Sequence, residues 1–454
     1  MGGLTRQLAE FVSALEYSRL PTQGVETVKR GAIDCIGVMF AGRNEPVVRI
    51  LRRQMAITGT GESHVLFDQG FANAGDAALL NAAAAHALDY DDTGLDGHPS
   101  VVLVPAILAE GERLQASGAD LITAYVAGYE TWAELVGRDA DRHHGKGWHP
   151  TAVFGALAAA AAAARLARLP VERTTWALGI AASMASGLTS NFGTMTKPFQ
   201  VGRAVQNGIC AARLAADGMT ASSDALEHPG GLLQAVSPKG RVRVDGEIAA
   251  GRDWHILRRG LNVKRYPVCY GVHRAIDATL ALVQEHNISP DAVGNVETRL
   301  GRLQTRMLRH SQPQNSLDAK FSAQFAMAAA LAARRVGMAE LTDQFVRSDA
   351  VQKLMPKVHV TPVDETDPEE SLFAPHDSVS IALADGRVLT SEPVRYALGH
   401  AHNPVSIDQL RAKFDDCVGN ALSAASRGAL IDRLQRLEAL PTVDALYVSP
   451  RVAA

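Results

Sequence analysis

Cysteine is scarce in this sequence and never clustered. The four copies, Cys35, Cys210, Cys269 and Cys417, lie far apart and make no C-x-x-C pair. That spacing argues against a zinc knuckle and against a disulfide framework, and it fits a reducing cytoplasm. Aromatic residues are also few, at 5%. An excess of one charge sign is missing too: the formal net charge is −3 over 454 residues. No basic footprint therefore points to nucleic acid or to an anionic membrane. No apolar run reaches membrane-spanning length; the longest, residues 152–164, is mostly alanine and ends at Arg165. The start, Met1-Gly-Gly-Leu-Thr-Arg, carries no apolar signal stretch. These absences predict a soluble, cytoplasmic protein with neither nucleic acid nor membrane as a partner.

What the sequence does have is helical periodicity. Apolar residues recur at three- and four-residue spacing over 4–15, 24–38, 47–57, 74–88, 101–116, 118–136, 151–166, 171–186 and 201–216. The alanine run 152–164 is apolar all round but small, which predicts a buried helix with neighbouring backbones close on several sides. Gly218 reads as the stop of the helix before it. Near Tyr266-Pro267 the character changes. Residues 272–283 are still helical, but 293–300 alternate as a strand does. Helical patterns over 319–335 and 339–345 precede a short β-like run at Val358-His-Val. Residues 379–390 read as two strands around an Asp385-Gly386 turn. From Ile407 to Leu440 the period is helical again. The order predicts a mainly α protein: a large all-helical domain, residues 1–264 and 398–454, with an inserted smaller α+β domain, residues 265–397. The last fifty or so residues should pack on the helical domain.

The densest chemistry lies in 86–100, His-Ala-Leu-Asp-Tyr-Asp-Asp-Thr-Gly-Leu-Asp-Gly-His-Pro-Ser. Helical spacing would put His86, Asp89 and Thr93 on one face, with Gly94 and Gly97 ending the helix. His98-Pro99, His149-Pro150 and Lys197-Pro198 each set a basic or imidazole side chain before a proline and a new helical pattern. Proline favours the first helical position, so the three side chains are predicted at N-caps, beside free backbone N–H groups. Three converging helix ends would suit a small polycarboxylate. The plain alternative is helix punctuation. Among the other polar residues, His86 reads as packing at the end of its helix, His143 and His144 as loop residues, and Asp91 and Asp92 as loop closure.

The motifs His86-Ala-Leu-Asp-Tyr-Asp-Asp-Thr, His98-Pro-Ser, Gly147-Trp-His-Pro, Thr196-Lys-Pro-Phe, Glu227-His-Pro-Gly-Gly-Leu and Lys264-Arg-Tyr-Pro-Val-Cys, in this order, resemble the MmgE/PrpD family. That family includes 2-methylcitrate dehydratase, cis-aconitate decarboxylase and iminodisuccinate epimerase. The resemblance implies a helical domain with an α+β lid, a homodimer, and chemistry with no metal and no organic cofactor. It places Asp89, Thr93, His98, His149, Lys197 and Lys264 at active-site positions, with Tyr266, Cys269 and His273 expected to add substrate contacts. The sequence departs from the family in three places. No tryptophan follows Thr93, Phe325 stands where relatives often carry tyrosine, and Cys269 stands where some carry histidine.

The implied reactions all move a proton at a carbon next to a carboxylate, which needs a base near neutral pKa and cations on the carboxylates. His98 and His149 suit the proton work, Asp89 could orient a histidine, and Lys197 and Lys264 could bind carboxylates; we expect the five to converge on one pocket between helical domain and lid. The resulting expectation is a lyase or isomerase acting on a small di- or tricarboxylic acid. A 2-methylcitrate dehydratase-like hydro-lyase comes first, and an epimerase or decarboxylase is the alternative. Two remote readings remain. Asp91-Asp92-Thr-Gly-Leu-Asp96 matches a loose D-D-x-x-x-D magnesium motif of terpenoid synthases, although no second such motif follows and aromatics are few. A non-catalytic helical binding protein is the other.

Overall fold

Residues 152–164 are mostly alanine, and the helix they form is buried on every side. In the computed structural model, which describes residues 2–55, 61–68, 70–370 and 372–447, the chain is mainly α and clusters into two units. One is Met1–Asn262 with Ile407–Ala454; the other is Val263–Ser406.

The first unit runs through α1 (Leu4–Ala14), α2 (Thr22–Gly42), α3 (Pro46–Gln54), a two-residue ribbon of β1 (Ser63–His64) with β2 (Phe71–Ala72), and then α4 (Ala74–His86), α5 (Ser100–Leu114), α6 (Gly118–Gly137), α7 (Pro150–Leu166), α8 (Val171–Met184) and α9 (Thr196–Ala216). Two short helices follow, α10 (Leu232–Val236) and α11 (His255–Arg259). The ribbon corrects the expectation of an all-helical unit. The helix expected to reach Ile57 ends at Gln54, and Ile57 itself lies outside the described residues.

Small residues let the backbones approach. Every residue of α7 except Arg165 is buried. A Cβ on Gly208 of α9 would sit 2.4 Å from Ala159 Cβ and 2.6 Å from the Ala156 carbonyl oxygen. On the other side, a Cβ on Gly128 of α6 would sit 2.6 Å from the Ala158 carbonyl oxygen. Neither approach leaves room for a side chain.

The second unit holds α12 (His273–His286), β3 (Val293–Gly301), the short helices α13 (Arg302–Met307) and α14 (Ser316–Ala319), α15 (Ala323–Ala333), α16 (Asp343–Val346), α17 (Asp349–Leu354), and strands β4 (Val358–Val363), β5 (Ser378–Leu383) and β6 (Val388–Thr390). The sheet order is β4-β3-β5-β6; only the β3–β4 pair is parallel. Gly386, at a φ of 89°, makes the turn between β5 and β6. The helix expected from Ala319 starts instead at Ala323, because the Ser322 hydroxyl accepts from Phe325 N at 3.0 Å and caps it there. The helix expected over 339–345 shrinks to α16, with Thr342 as its cap. Phe325 lies fully buried in this unit's apolar core, edge-on to Phe345.

The remaining helices, α18 (Ile407–Val418) and α19 (Ala424–Gln435), belong to the first unit. Gly419, with a φ of 52°, lies between the two helices within the stretch whose period reads as helical. From α18, Lys413 reaches Asp34 of α2 at 2.5 Å, the Tyr90 carbonyl at 2.8 Å, and the face of the Tyr90 ring at 4.0 Å. Beside it, the Asp92 carboxyl group accepts from Ser100 N at 3.2 Å and pairs with the Ser100 hydroxyl, which meets Tyr125 Oη at 2.8 Å. Burial, reinforced by the nearby Asp34 and Asp91 charges, pushes the Asp92 carboxyl up to about 8. It is therefore protonated at neutral pH.

Two outcomes follow from this packing and this buried carboxyl. Gly208→Val should destabilise the protein by about 1–3 kcal/mol or more through overpacking, read as a fall in the thermal or denaturant midpoint. The second concerns pH. Asp92 ionises near 3.8 when unfolded but only near 8 when folded, so the folded state holds one more proton in between. Its contribution to stability is complete below pH 3.8 and is lost as pH rises through about 8. Asp92→Asn keeps a neutral group of the same shape. The variant should lose less stability than the wild type between about pH 5 and 8, measured by urea unfolding.

Candidate active site

Helix α4 stops earlier than its apolar pattern does. The chain leaves it at His86, and Asp89, Leu95 and Asp96 adopt left-handed conformations with φ of 54°, 53° and 57°. Such conformations cost ~1–2 kcal/mol for a residue with a side chain, less for Asp. The helical face expected to carry His86, Asp89 and Thr93 therefore does not form. The loop turns instead between Gly94 and Gly97, which exchange backbone hydrogen bonds at 2.8 and 2.9 Å, and Thr93 is bridged to Asn262 at 2.8 and 2.9 Å. This path folds the acidic residues back over the end of α4.

The three side chains that stand before a proline fare differently as caps. Only His149 is an N-cap, with extended backbone ahead of Pro150, and its ring makes no capping hydrogen bond. At the first site Pro99 is itself the N-cap, leaving His98 one residue outside α5. Lys197 lies inside the first turn of α9, which begins at Thr196. Proline discourages but does not forbid a helical residue before it, and the Thr194 carbonyl, accepting from Lys197 N at 3.1 Å, continues the turn.

The side chains meet nonetheless. Lys197 Nζ lies 2.6 Å from Asp89 Oδ1, and His98 Nε2 lies 3.8 Å from the same oxygen. His98 Nδ1 is 2.8 Å from Asp91 Oδ2 and 2.9 Å from the Asp92 carbonyl oxygen. His86 Nδ1 approaches the two Asp91 oxygens at 3.0 and 3.1 Å. The His86 ring stands 4.6 Å from that of His98 and stacks at 6.0 Å on that of His149. Phe192 completes the group: its ring is edge-on to His149 at 4.9 Å and lies 5.1 Å from Lys197 Nζ. Its loop is fixed by a bridge between Trp148 and Leu188, with His149 N donating to the Gly187 carbonyl at 3.0 Å.

Electrostatics separates these groups. Burial, aided by the Lys197 charge, drives His149 far below its ordinary pKa, so its ring is neutral. Burial likewise pushes His86 and His144 down to about 4. Burial alone would raise the Asp91 carboxyl, but the two imidazoles reverse this and hold it well below the usual carboxylate range. His86 Nε2 and His149 Nδ1 are buried without a protein hydrogen-bond partner among the described residues.

His86, Asp89, Asp91 and His98 offer ligand atoms that all lie within 4.8 Å of one another, a grouping able to hold a metal ion. Two features of the same cluster oppose a cation. The Lys197 ammonium already lies on Asp89, and both Nδ1 atoms face Asp91 at hydrogen-bond distance, where an N–H rather than a lone pair belongs. The D-D-x-x-x-D reading fails on geometry. Asp91 and Asp92 are fully buried, and Asp96 turns away to Arg142 at 3.6 Å.

The remaining sequence-predicted residues lie in the second unit. Lys264 is almost fully buried. Tyr266 donates to Asp277 at 2.5 Å, and its ring is edge-on to His273 at 5.1 Å. His273 Nε2 faces the Val268 carbonyl at 3.2 Å, and Cys269 N donates to the Lys320 carbonyl at 2.8 Å. The sequence reading took His86 as packing at a helix end and Asp91 as loop closure; the structure sets both against His98, and Phe192 carried no sequence signal.

Comparison with known proteins gives this geometry a family. The model of the MmgE/PrpD N-terminal domain matches residues 6–245, and that of the C-terminal domain matches residues 266–437. Among curated proteins, the chain is 26% identical to a cis-aconitate decarboxylase of Mus musculus, over 96% of this chain and 91% of that protein. It is 27% identical to the cis-aconitate decarboxylase of Homo sapiens, over 96% and 92%. A cis-aconitate decarboxylase of Aspergillus terreus is 26% identical over 98% and 95%. With both family models matching along most of its length, the chain belongs to the MmgE/PrpD family of enzymes.

Proposed function

We propose that this enzyme is a metal-independent lyase that moves a proton next to a carboxylate of a small di- or tricarboxylic acid, with decarboxylation of a cis-aconitate-like acid as its reaction. The observation that carries the proton chemistry is the meeting of His98, His149, Asp89 and Lys197 where α5, α7 and α9 begin. The choice of decarboxylation rests on relatives bearing that name across nearly the whole chain. Dehydration, which the sequence motifs put first, stays as the alternative that the same assay reads.

Loss of CO2 breaks a C–C bond and leaves its electron pair on the substrate, so a proton must reach the carbon that gains the pair. His98 is the proposed carrier, because its Nε2 points to the Asp89–Lys197 pair while Nδ1 is engaged behind it. Neutral His149 contributes a hydrogen bond rather than a charge. An ammonium has three donors, so Lys197 can keep Asp89 and still take a substrate carboxylate. Thr93, Lys264, Tyr266, Cys269 and His273 are proposed as further substrate contacts.

The test is NMR in deuterated water on cis-aconitate, 2-methylcitrate and aspartate-derived dicarboxylic acids, which reads exchange as well as turnover. His98→Ala and His149→Ala should each lower kcat by about 10²–10⁴-fold with the fold intact by circular dichroism. Lys197→Ala should act at least partly through KM. A fully active His98→Ala/His149→Ala double variant would end the reading. Chelator should leave turnover unchanged. Activity lost on chelation and restored by a divalent ion would instead make His86, Asp89, Asp91 and His98 a metal site.

A further inference from the structure

Asp91 takes no direct part in the chemistry above, yet it is the most enclosed charge in the cluster. Its side chain is fully buried, and a buried carboxylate is costly unless its oxygens are hydrogen-bonded. Both partners here are imidazoles: His98 Nδ1 at 2.8 Å and His86 Nδ1 at 3.0 and 3.1 Å. Asp89 differs on both counts, being partly exposed and paired with the Lys197 ammonium.

We propose that Asp91 is a positioning residue for His98, held in place by His86, so that His98 presents Nε2 as its reacting nitrogen. The inference rests on the acid–base reading given above. Two acceptors, Asp91 Oδ2 and the Asp92 carbonyl, face His98 Nδ1, so the ring proton stays on Nδ1 and the lone pair falls on Nε2. Of the two, only Asp91 carries charge. When Nε2 takes a proton from water, the imidazolium that forms faces that charge across 2.8 Å, in surroundings where little water screens it, and it then delivers the same proton to the carbon that gains the electron pair. A carboxylate behind a catalytic histidine does the same in hydrolytic triads, by fixing the tautomer and stabilising the imidazolium.

His86 has the complementary duty. Its ring is buried at the end of α4, and burial pushes it down to about 4. It therefore donates to Asp91 as a neutral group and fixes the carboxylate without cancelling its charge. The left-handed turn at Asp89 is what brings residue 91 back over residue 86.

The experiment combines nitrogen-15 histidine NMR of the full chain with kinetics of three variants. His98 is assigned by its absence in His98→Gln. The wild type should show His98 protonated on Nδ1. Asp91→Asn should lower kcat by about 10²–10⁴-fold while KM stays within about threefold. His86→Gln keeps a donor for Asp91 and should retain more of kcat than His86→Ala. A wild-type His98 protonated on Nε2 alone, with Nδ1 bare, overturns the inference even if Asp91→Asn does not fold. So does an Asp91→Asn variant that keeps its kcat or that changes KM alone. If the wild type neither converts nor exchanges any of the acids, the proposed function falls, and the tautomer still decides the positioning role.

Discussion

A helix buried on all sides has only its ends to offer for chemistry. That constraint governs the first unit. Helix α7 is enclosed because alanine and glycine let α6 and α9 reach its backbone, so polar groups along its length would have no partner. Its N-terminus, where His149 stands, is the place where function can attach. The same holds for α5 and α9, whose first turns carry His98 just outside and Lys197 just inside. Close packing thus fixes the spacing of three helix ends to within the tolerance that acid–base chemistry needs. The cost is intolerance of even one added methyl group at the contacts.

Much of this was legible in the sequence. Apolar periodicity located nearly every long helix, and alternation located β3, β5 and β6. The Asp385-Gly386 pair predicted its turn through the left-handed freedom of Gly386. The residues standing before a proline, His98, His149 and Lys197, were marked as a set, although the reason given, the N-cap position, applies to His149 alone. Pattern reading is blind to whether proline takes the first helical position, the cap or the third residue. The three cases differ by a residue or two of backbone, which is enough to move a side chain to another face.

The loop between α4 and α5 was the part that could not be read. Helical spacing linked His86 with Asp89 and Thr93, whereas the true contacts run from His86 to Asp91 and from Asp89 to Lys197. Left-handed residues at 89, 95 and 96 carry no periodic signal, since aspartate and leucine there look like any others. Tertiary contacts select those conformations: Lys413 on Tyr90, Ser100 on Asp92 and Asn262 on Thr93. Asp91 and Asp92, neighbours in the chain, thereby acquire opposite roles. Asp89 and Asp91 work with cations and imidazoles, while Asp92 is folded away as a neutral acid.

The grip of Lys413 on Tyr90 and Asp34 has a consequence for the order of events during synthesis. Residue 90 lies between two acids of the site, and the cation that holds it comes from a helix more than three hundred positions later in the chain. Until that helix leaves the ribosome, Asp34 faces a core with no counter-charge and the loop lacks its anchor. The first unit can collapse early around its alanine helices, but its reactive centre must be among the last parts to set. A chain truncated before α18 would keep every acid, imidazole and lysine named in the site and still lack the clamp that arranges them.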